Sequence, residues 1–147
     1  MDNRQEIDLL LIEDSEDDSV FFREALAEAG LHVAMRWARD GAEAREMIFG
    51  GNSPDSSEGL KPRLIVLDVK MPKLGGIELL QMLKTDDRTR SIPVVIFSSS
   101  QEKRDLLESY RLGANSYVVK PMDADKFTET VRLLGEYWLR TNETPNS

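Results

Sequence analysis

Asp68 follows the apolar run Leu64-Ile65-Val66-Leu67 and precedes Val69-Lys70-Met71-Pro72. Four apolar residues bounded by turn signals read as an interior strand of a parallel sheet. Open α/β sheets bind their ligands at the carboxyl ends of such strands, so Asp68 stands where chemistry is done. Two further acids, Glu13 and Asp14, close the run Leu9 to Ile12; Ser98 closes Pro93 to Phe97, and Lys120 closes Ser116 to Val119. If these runs are parallel strands, all of these side chains gather at one edge of one sheet. Crowded carboxylates either raise their own pKa values or bind a cation. An all-oxygen site suits Mg²⁺, which keeps several waters and leaves positions for a phosphoryl group. A lysine and a hydroxyl facing the metal would complete a clamp for phosphate oxygens, and phosphoryl transfer needs chiefly positioning and charge neutralisation.

The elements that must carry these residues alternate along the chain. Strand-like runs occupy Ile7 to Ile12, His32 to Ala38, Leu64 to Leu67, Pro93 to Phe97 and Ser116 to Val119, with helical patterns between them. The first helix is expected from Asp18 to Glu28, with Val20, Ala25 and Leu26 facing inward and Gly30 as its stop. The second takes Asp40 as N-cap, with Glu43 at the reciprocal position, and ends at Gly50-Gly51. Gly76 to Lys84 and Gln101 to Leu112 supply the third and fourth, with Ser99 and Glu102 at capping spacing. The fifth opens after Asp123 and puts Phe127, Val131, Leu134 and Trp138 on one stripe. Strands alternating with helices of this length mean βαβ units and right-handed crossovers, hence a three-layer α/β/α sandwich around a parallel sheet. The stretch from Gly50 to Arg63 lacks an apolar period and reads as a flexible surface loop.

Composition narrows the function. The 147 residues suit one domain, and 27 acidic against 19 basic side chains give a net charge of −8 that repels nucleic acid phosphates and anionic membranes. No cysteine is present, which removes disulfides, thiolate metal sites and thiol nucleophiles. The N-terminal apolar run is too short for a signal peptide or a membrane span, so the chain is expected to be cytoplasmic, with no nucleic-acid or membrane partner.

With Glu13-Asp14, Asp68 with Met71-Pro72 and Gly76, Ser98, and Tyr117-Val118-Val119-Lys120-Pro121 in register, the sequence resembles the receiver domains of two-component response regulators. The resemblance spans roughly residues 7–139. It implies a five-stranded flavodoxin-like sheet in the order 2-1-3-4-5 and a receiver domain over residues 1–140, while the polar composition of Thr141 to Ser147 reads as a flexible tail over 141–147. It also implies that Asp68 takes a phosphoryl group from a partner histidine kinase. Asp14 and Asp68 would bind Mg²⁺ directly, Glu13 through water and Lys70 through its backbone carbonyl. Lys120 would pair with Asp68 and the phosphoryl oxygens, Ser98 would hydrogen-bond the phosphoryl group, and Tyr117 would be the aromatic that turns inward with Ser98. The Lys120–Pro121 bond would be cis. Lys70 and Ser100 occupy the two variable positions that tune dephosphorylation in the family. The long loop and the end Glu136-Tyr137-Trp138-Leu139 look most like the single-domain regulators that partner phytochrome-type kinases. Signalling would then run through protein contacts, including a homodimer through the fourth strand, fifth strand and fifth helix, where Leu133 and Tyr137 form a second apolar stripe.

Plainer readings stand beside these. Glu13-Asp14 alone would be caps or solvated loop charges, one of Ser98-Ser99-Ser100 a helix cap, Lys120 a surface lysine before proline, and Tyr117 a half-buried edge residue. His32, the only histidine, reads as structural within its strand. Two rival functions use the same residues. A metal-dependent phosphohydrolase could use Asp68 as a covalent nucleophile, but such enzymes carry a second acid two positions later, where this chain has Lys70. A binding module with a receiver fold could also never see phosphate, and retention of every acid with Ser98 and Lys120 argues against that.

Overall fold

The computed structural model describes residues 2–50, 59–71 and 74–145. Five strands, β1 (Gln5–Ile12), β2 (Met35–Ala38), β3 (Leu60–Leu67), β4 (Val94–Ser98) and β5 (Ser116–Val119), form one sheet in the order β2-β1-β3-β4-β5. Every neighbouring pair is parallel. Helices α1 (Glu16–Glu28), α2 (Gly41–Phe49), α3 (Gly76–Thr85), α4 (Lys103–Arg111) and α5 (Ala124–Gly135) make the crossovers and the C-terminal cover. This is the expected flavodoxin-like α/β/α sandwich.

The central strands are apolar on both faces because both faces are covered. Leu9 and Leu11 of β1, Leu64 and Val66 of β3, and Val95 and Phe97 of β4 face α1 and α5. Leu10, Ile12, Ile65, Leu67, Val94 and Ile96 face the opposite core with α2 and α3. On the first side Phe97 meets Phe22 and Phe127 edge to face, at 5.7 and 5.3 Å between ring centroids.

Several expectations shift. α1 begins earlier, because the Ser15 hydroxyl accepts from the Asp18 amide at 3.2 Å and caps the helix. The phase of the helix then buries Phe22 with Ala25 and Leu26 and leaves Val20 46% exposed. β2 starts only at Met35: the Asp8 carboxylate accepts from the Ala34 amide at 2.8 Å, so that amide bonds a side chain and His32 lies exposed before the strand. β3 extends back through Leu60, paired with Gln5 of β1, so Leu60 to Arg63 belong to the sheet rather than to a loop. Residues 51–58 of that expected loop lie outside the described residues. Asp40 caps α2, accepting from the Glu43 amide at 2.8 Å. Ser99 does not cap α4; its N-cap is Glu102, whose side chain makes no capping bond.

The last helix continues beyond Gly135 as a π-helical turn, Glu136–Thr141, closed by the Asn142 amide on the Tyr137 carbonyl at 2.7 Å. The wider turn rotates the inner stripe: Leu139 is buried and Trp138 only partly so. No cis peptide bond occurs among the described residues, so Lys120–Pro121 is trans, contrary to the resemblance. Nor is any described helix long and apolar enough to cross a membrane.

Candidate functional site

The parallel ladder itself assembles the site. It continues one residue past the strands: the Asp68 amide donates to the Ile12 carbonyl at 3.0 Å, the Glu13 amide to the Ala38 carbonyl at 3.0 Å, and the Lys120 amide to the Ser98 carbonyl at 2.8 Å. Glu13, Asp68, Ser98 and Lys120 are therefore held at the sheet edge by backbone bonds from neighbouring strands. Trp37 at the end of β2 adds a brace, its indole donating to the Glu13 carbonyl at 2.7 Å.

Carboxylate oxygens of Glu13, Asp14 and Asp68 lie within 4.8 Å of one another. Glu13 and Asp68 are buried, while Asp14 is open to solvent. Facing them is Lys120, whose side chain is 9% exposed and whose ammonium lies 3.1 Å from Asp68 Oδ2 and 2.9 Å from Asp18 Oδ2. It also pairs with Glu13 Oε1 and stands 6.0 Å from the Phe97 ring centroid. The second Asp68 oxygen, Oδ1, accepts from the Lys70 amide at 2.9 Å. That bond points the Asp68 side chain along its own loop.

One ammonium cannot neutralise this many acids. Burial first, and the charge of Asp68 second, push the Glu13 carboxyl up to about 7 against the pull of Lys120. Burial acts to lower Lys120, but Asp68, Glu13 and Asp18 outweigh it and hold the ammonium above its ordinary value. A crowded, partly desolvated acid cluster with an open mouth at Asp14 is a set of hard oxygen donors that a divalent cation would relieve. The residues present fit such an ion.

Ser98 is fully buried at the end of β4, its hydroxyl accepting from the Ser100 amide at 3.2 Å. Tyr117, half-buried on β5, donates its phenol to the Ser100 carbonyl at 3.0 Å, while its amide donates to the Tyr110 hydroxyl at 3.1 Å. Burial pushes the Tyr117 phenol up. The Lys70 side chain turns away toward α4, 3.2 Å from Asp105 Oδ2.

Two acids at the site carry no motif in the sequence. Asp18 reads there as the start of a helix, and its only signal is its place in the first turn of a helix leading out of the acid pair. Asp105 gave none, since an acid near a helix start is ordinarily solvated. The expected acids and Lys120 do come together, whereas His32 stands apart from them.

The family model described as the response regulator receiver domain matches residues 9–132. The probable methanogenesis regulatory protein FilR2 of Methanothrix harundinacea is 33% identical over 141 residues, covering 93% of this chain and 86% of FilR2. The crystal structure of the phosphorylated cyanobacterial phytochrome response regulator RcpA superposes with a TM-score of 0.85 at 32% identity, covering 97% of this chain and 99% of RcpA. The Mn²⁺-bound response regulator Rcp1, a protein of Synechocystis sp., superposes with a TM-score of 0.85 at 30% identity, covering 95% of this chain and 99% of Rcp1. These relatives are named as regulatory proteins and response regulators, which places the chain with signalling receivers rather than with phosphohydrolases. An acid cluster at the carboxyl edge of a 2-1-3-4-5 sheet, a buried lysine facing it and a family match across most of the length have one meaning: the chain belongs to the response regulator receiver domains of two-component signalling.

Proposed function

We propose that this receiver accepts a phosphoryl group on Asp68 from a histidine kinase of the phytochrome type, and signals through protein contacts. The observation that carries the reading is the environment of Asp68: a buried carboxylate with one oxygen 3.1 Å from the Lys120 ammonium, clustered with Glu13 and Asp14. In the transfer, a carboxylate oxygen of Asp68 attacks the phosphorus of the kinase phosphohistidine. The phosphorus–nitrogen bond breaks, the electron pair stays on the imidazole, and an acyl phosphate forms. Asp14 and Asp68 would hold Mg²⁺ directly, Lys70 through its carbonyl and Glu13 through water, and an ion held there would supply charge neutralisation for the phosphoryl group. Lys120 would follow the phosphoryl oxygens, and the Ser98 hydroxyl would donate to one of them. Tyr117, tied to Ser100, then exchanges that bond for an inward position, which biases the face formed by α4, β5 and α5.

The kinase class rests on likeness to RcpA, which is described as a phytochrome response regulator. Leu133 and Tyr137, 55% and 50% exposed on the last helix, support a homodimer through β4, β5 and α5. Sedimentation with and without beryllofluoride tests it, and a monomer at high concentration in both states refutes it. For the acceptor, incubation with acetyl phosphate and Mg²⁺, or with a phosphorylated kinase, should label the wild type and not Asp68→Asn. Label that survives this substitution removes Asp68 from the role.

A further inference from the structure

α4 differs from the other helices. Its buried side chains are Asp105 and Ser109, one turn apart, whereas α1, α2, α3 and α5 each bury aliphatic residues. Of its apolar residues, Leu106 is half-buried, while Leu107 and Tyr110 face outward, 61% and 52% exposed. The Ser109 hydroxyl is buried without a hydrogen-bond partner among the described residues. A helix that buries so little apolar surface is held by polar contacts, and such segments open at low cost.

Those contacts meet at Asp105, which is 7% exposed. Its Oδ2 accepts the Ser100 hydroxyl at 2.5 Å and lies 3.2 Å from Lys70 Nζ. The Ser100 hydroxyl, and then the Lys70 ammonium, hold the Asp105 carboxyl below its ordinary value although burial opposes them. Lys70 follows Asp68 by two residues and its amide is bonded to the Asp68 carboxylate. Ser100 is bonded through its amide to Ser98 and through its carbonyl to Tyr117. One carboxylate on α4 therefore joins the loop that carries Asp68 to the segment that carries Ser98.

We propose that Asp105 is a positioning residue of the phosphoacceptor site, holding the Lys70 ammonium toward α4 and thereby setting how long a phosphoryl group on Asp68 survives. The inference rests on Asp68 being the acceptor. A phosphoryl group adds between one and two negative charges close to the root of Lys70, roughly the charge of a phosphorylated side chain at neutral pH. The ammonium is then contested between that group and Asp105. While Asp105 retains it, the acyl phosphate stays open to water. The water oxygen attacks phosphorus, the bond between phosphorus and the Asp68 oxygen breaks, the carboxylate is restored, and inorganic phosphate and a proton leave to solvent. When Asp105 cannot retain it, Lys70 covers the phosphoryl oxygens and obstructs that attack.

The test compares phosphoryl decay, after removal of acetyl phosphate, in wild type, Asp105→Asn, Lys70→Met and the double variant. Asp105→Asn should slow decay about threefold, the order expected of an ion pair with one half-exposed partner. Adding Asp105→Asn to Lys70→Met should change decay by less than about 1.5-fold, because the two changes act through one contact. Equal decay in wild type and Asp105→Asn overturns the proposal. So does the same slowing in the Lys70→Met background, where the effect could only run through the helix. Lys70→Met removes a side chain that is 48% exposed, so this variant folds even if Asp105→Asn does not. A second readout needs no phosphate: the Lys70 side-chain ¹⁵N resonance should move to that of a solvated lysine in Asp105→Asn, and an unmoved resonance overturns the contact. Failure of wild type to take label refutes the acceptor reading instead, while the lysine resonance still decides whether Asp105 holds Lys70.

Discussion

Replacing Glu13 with glutamine should remove most of the pH dependence of this domain's stability. Glu13 is 2% exposed beside Asp68, and its carboxyl is raised from 4.5 to about 7, by burial first and by Asp68 second. An acid whose folded pKa exceeds its unfolded one binds more protons when folded. Stability is therefore greatest below the unfolded value and falls as pH rises through the folded one. At about 1.4 kcal/mol per unit, the full displacement from 4.5 to about 7 amounts to a loss of about 3 kcal/mol at most across that window. Lys120 and Asp105 add nothing within that window. The raised Lys120 contributes stability that is complete below its unfolded value of 10.5 and is lost only above it. The lowered Asp105 contributes stability that is complete above its unfolded value of 3.8. Urea unfolding in EDTA, from about pH 5 to about pH 8, should show wild type losing about 2 kcal/mol, the part of the displacement that falls within that range, and Glu13→Gln less than about 1. Millimolar Mg²⁺ should reverse the wild-type trend at the alkaline end, since an ion bound only by the folded, ionised cluster adds stability by mass action. Parallel pH profiles for the two proteins in EDTA would refute the assignment of the strained proton to Glu13.

Lys120→Met strands Glu13 and Asp68 without their cation. It should cost about 3 kcal/mol near pH 8, with part of the loss recovered near pH 5 as Glu13 takes up a proton; urea midpoints at the two pH values check this. Gly76→Ala places a Cβ 2.3 Å from the Asp68 carbonyl oxygen and 2.5 Å from the Val69 Cα, neither of which can yield without moving the acceptor loop. An overpacking cost of about 2 kcal/mol, seen as a melting temperature lower by about 6 °C, should accompany slower labelling by acetyl phosphate. Phe21, 54% exposed, and Met122, fully exposed, line a groove of about 390 Å³ that reaches Lys120 between α1 and α5. A kinase helix presenting its histidine to Asp68 would cover it, so Phe21→Glu should slow transfer from the kinase about tenfold and leave labelling by acetyl phosphate unchanged. Equal effects on both donors would remove the groove from kinase docking.

The alternation of apolar runs and helical patterns was enough to specify a parallel α/β sheet, because only strands covered on both faces are apolar at every position. It also placed Glu13, Asp14, Asp68, Ser98 and Lys120 at strand ends, and once the strands are parallel those ends must share an edge. Strand order and family came from motifs in register, not from periodicity. Boundaries were less legible where a side chain replaced a backbone bond: Asp8 capping the Ala34 amide shortened β2, and the Ser15 cap advanced α1 and turned Phe22 inward. The extra residue of the π turn that buries Leu139 has no counterpart in a pattern read at 3.6 residues per turn. Only the tertiary structure decided the electrostatics. That the Glu13 carboxyl is pushed up, that Asp18 shares Lys120, and that Asp105 holds Lys70 all depend on distances between elements far apart in the chain. Charge energies vary with separation and burial, and a one-dimensional sequence records neither.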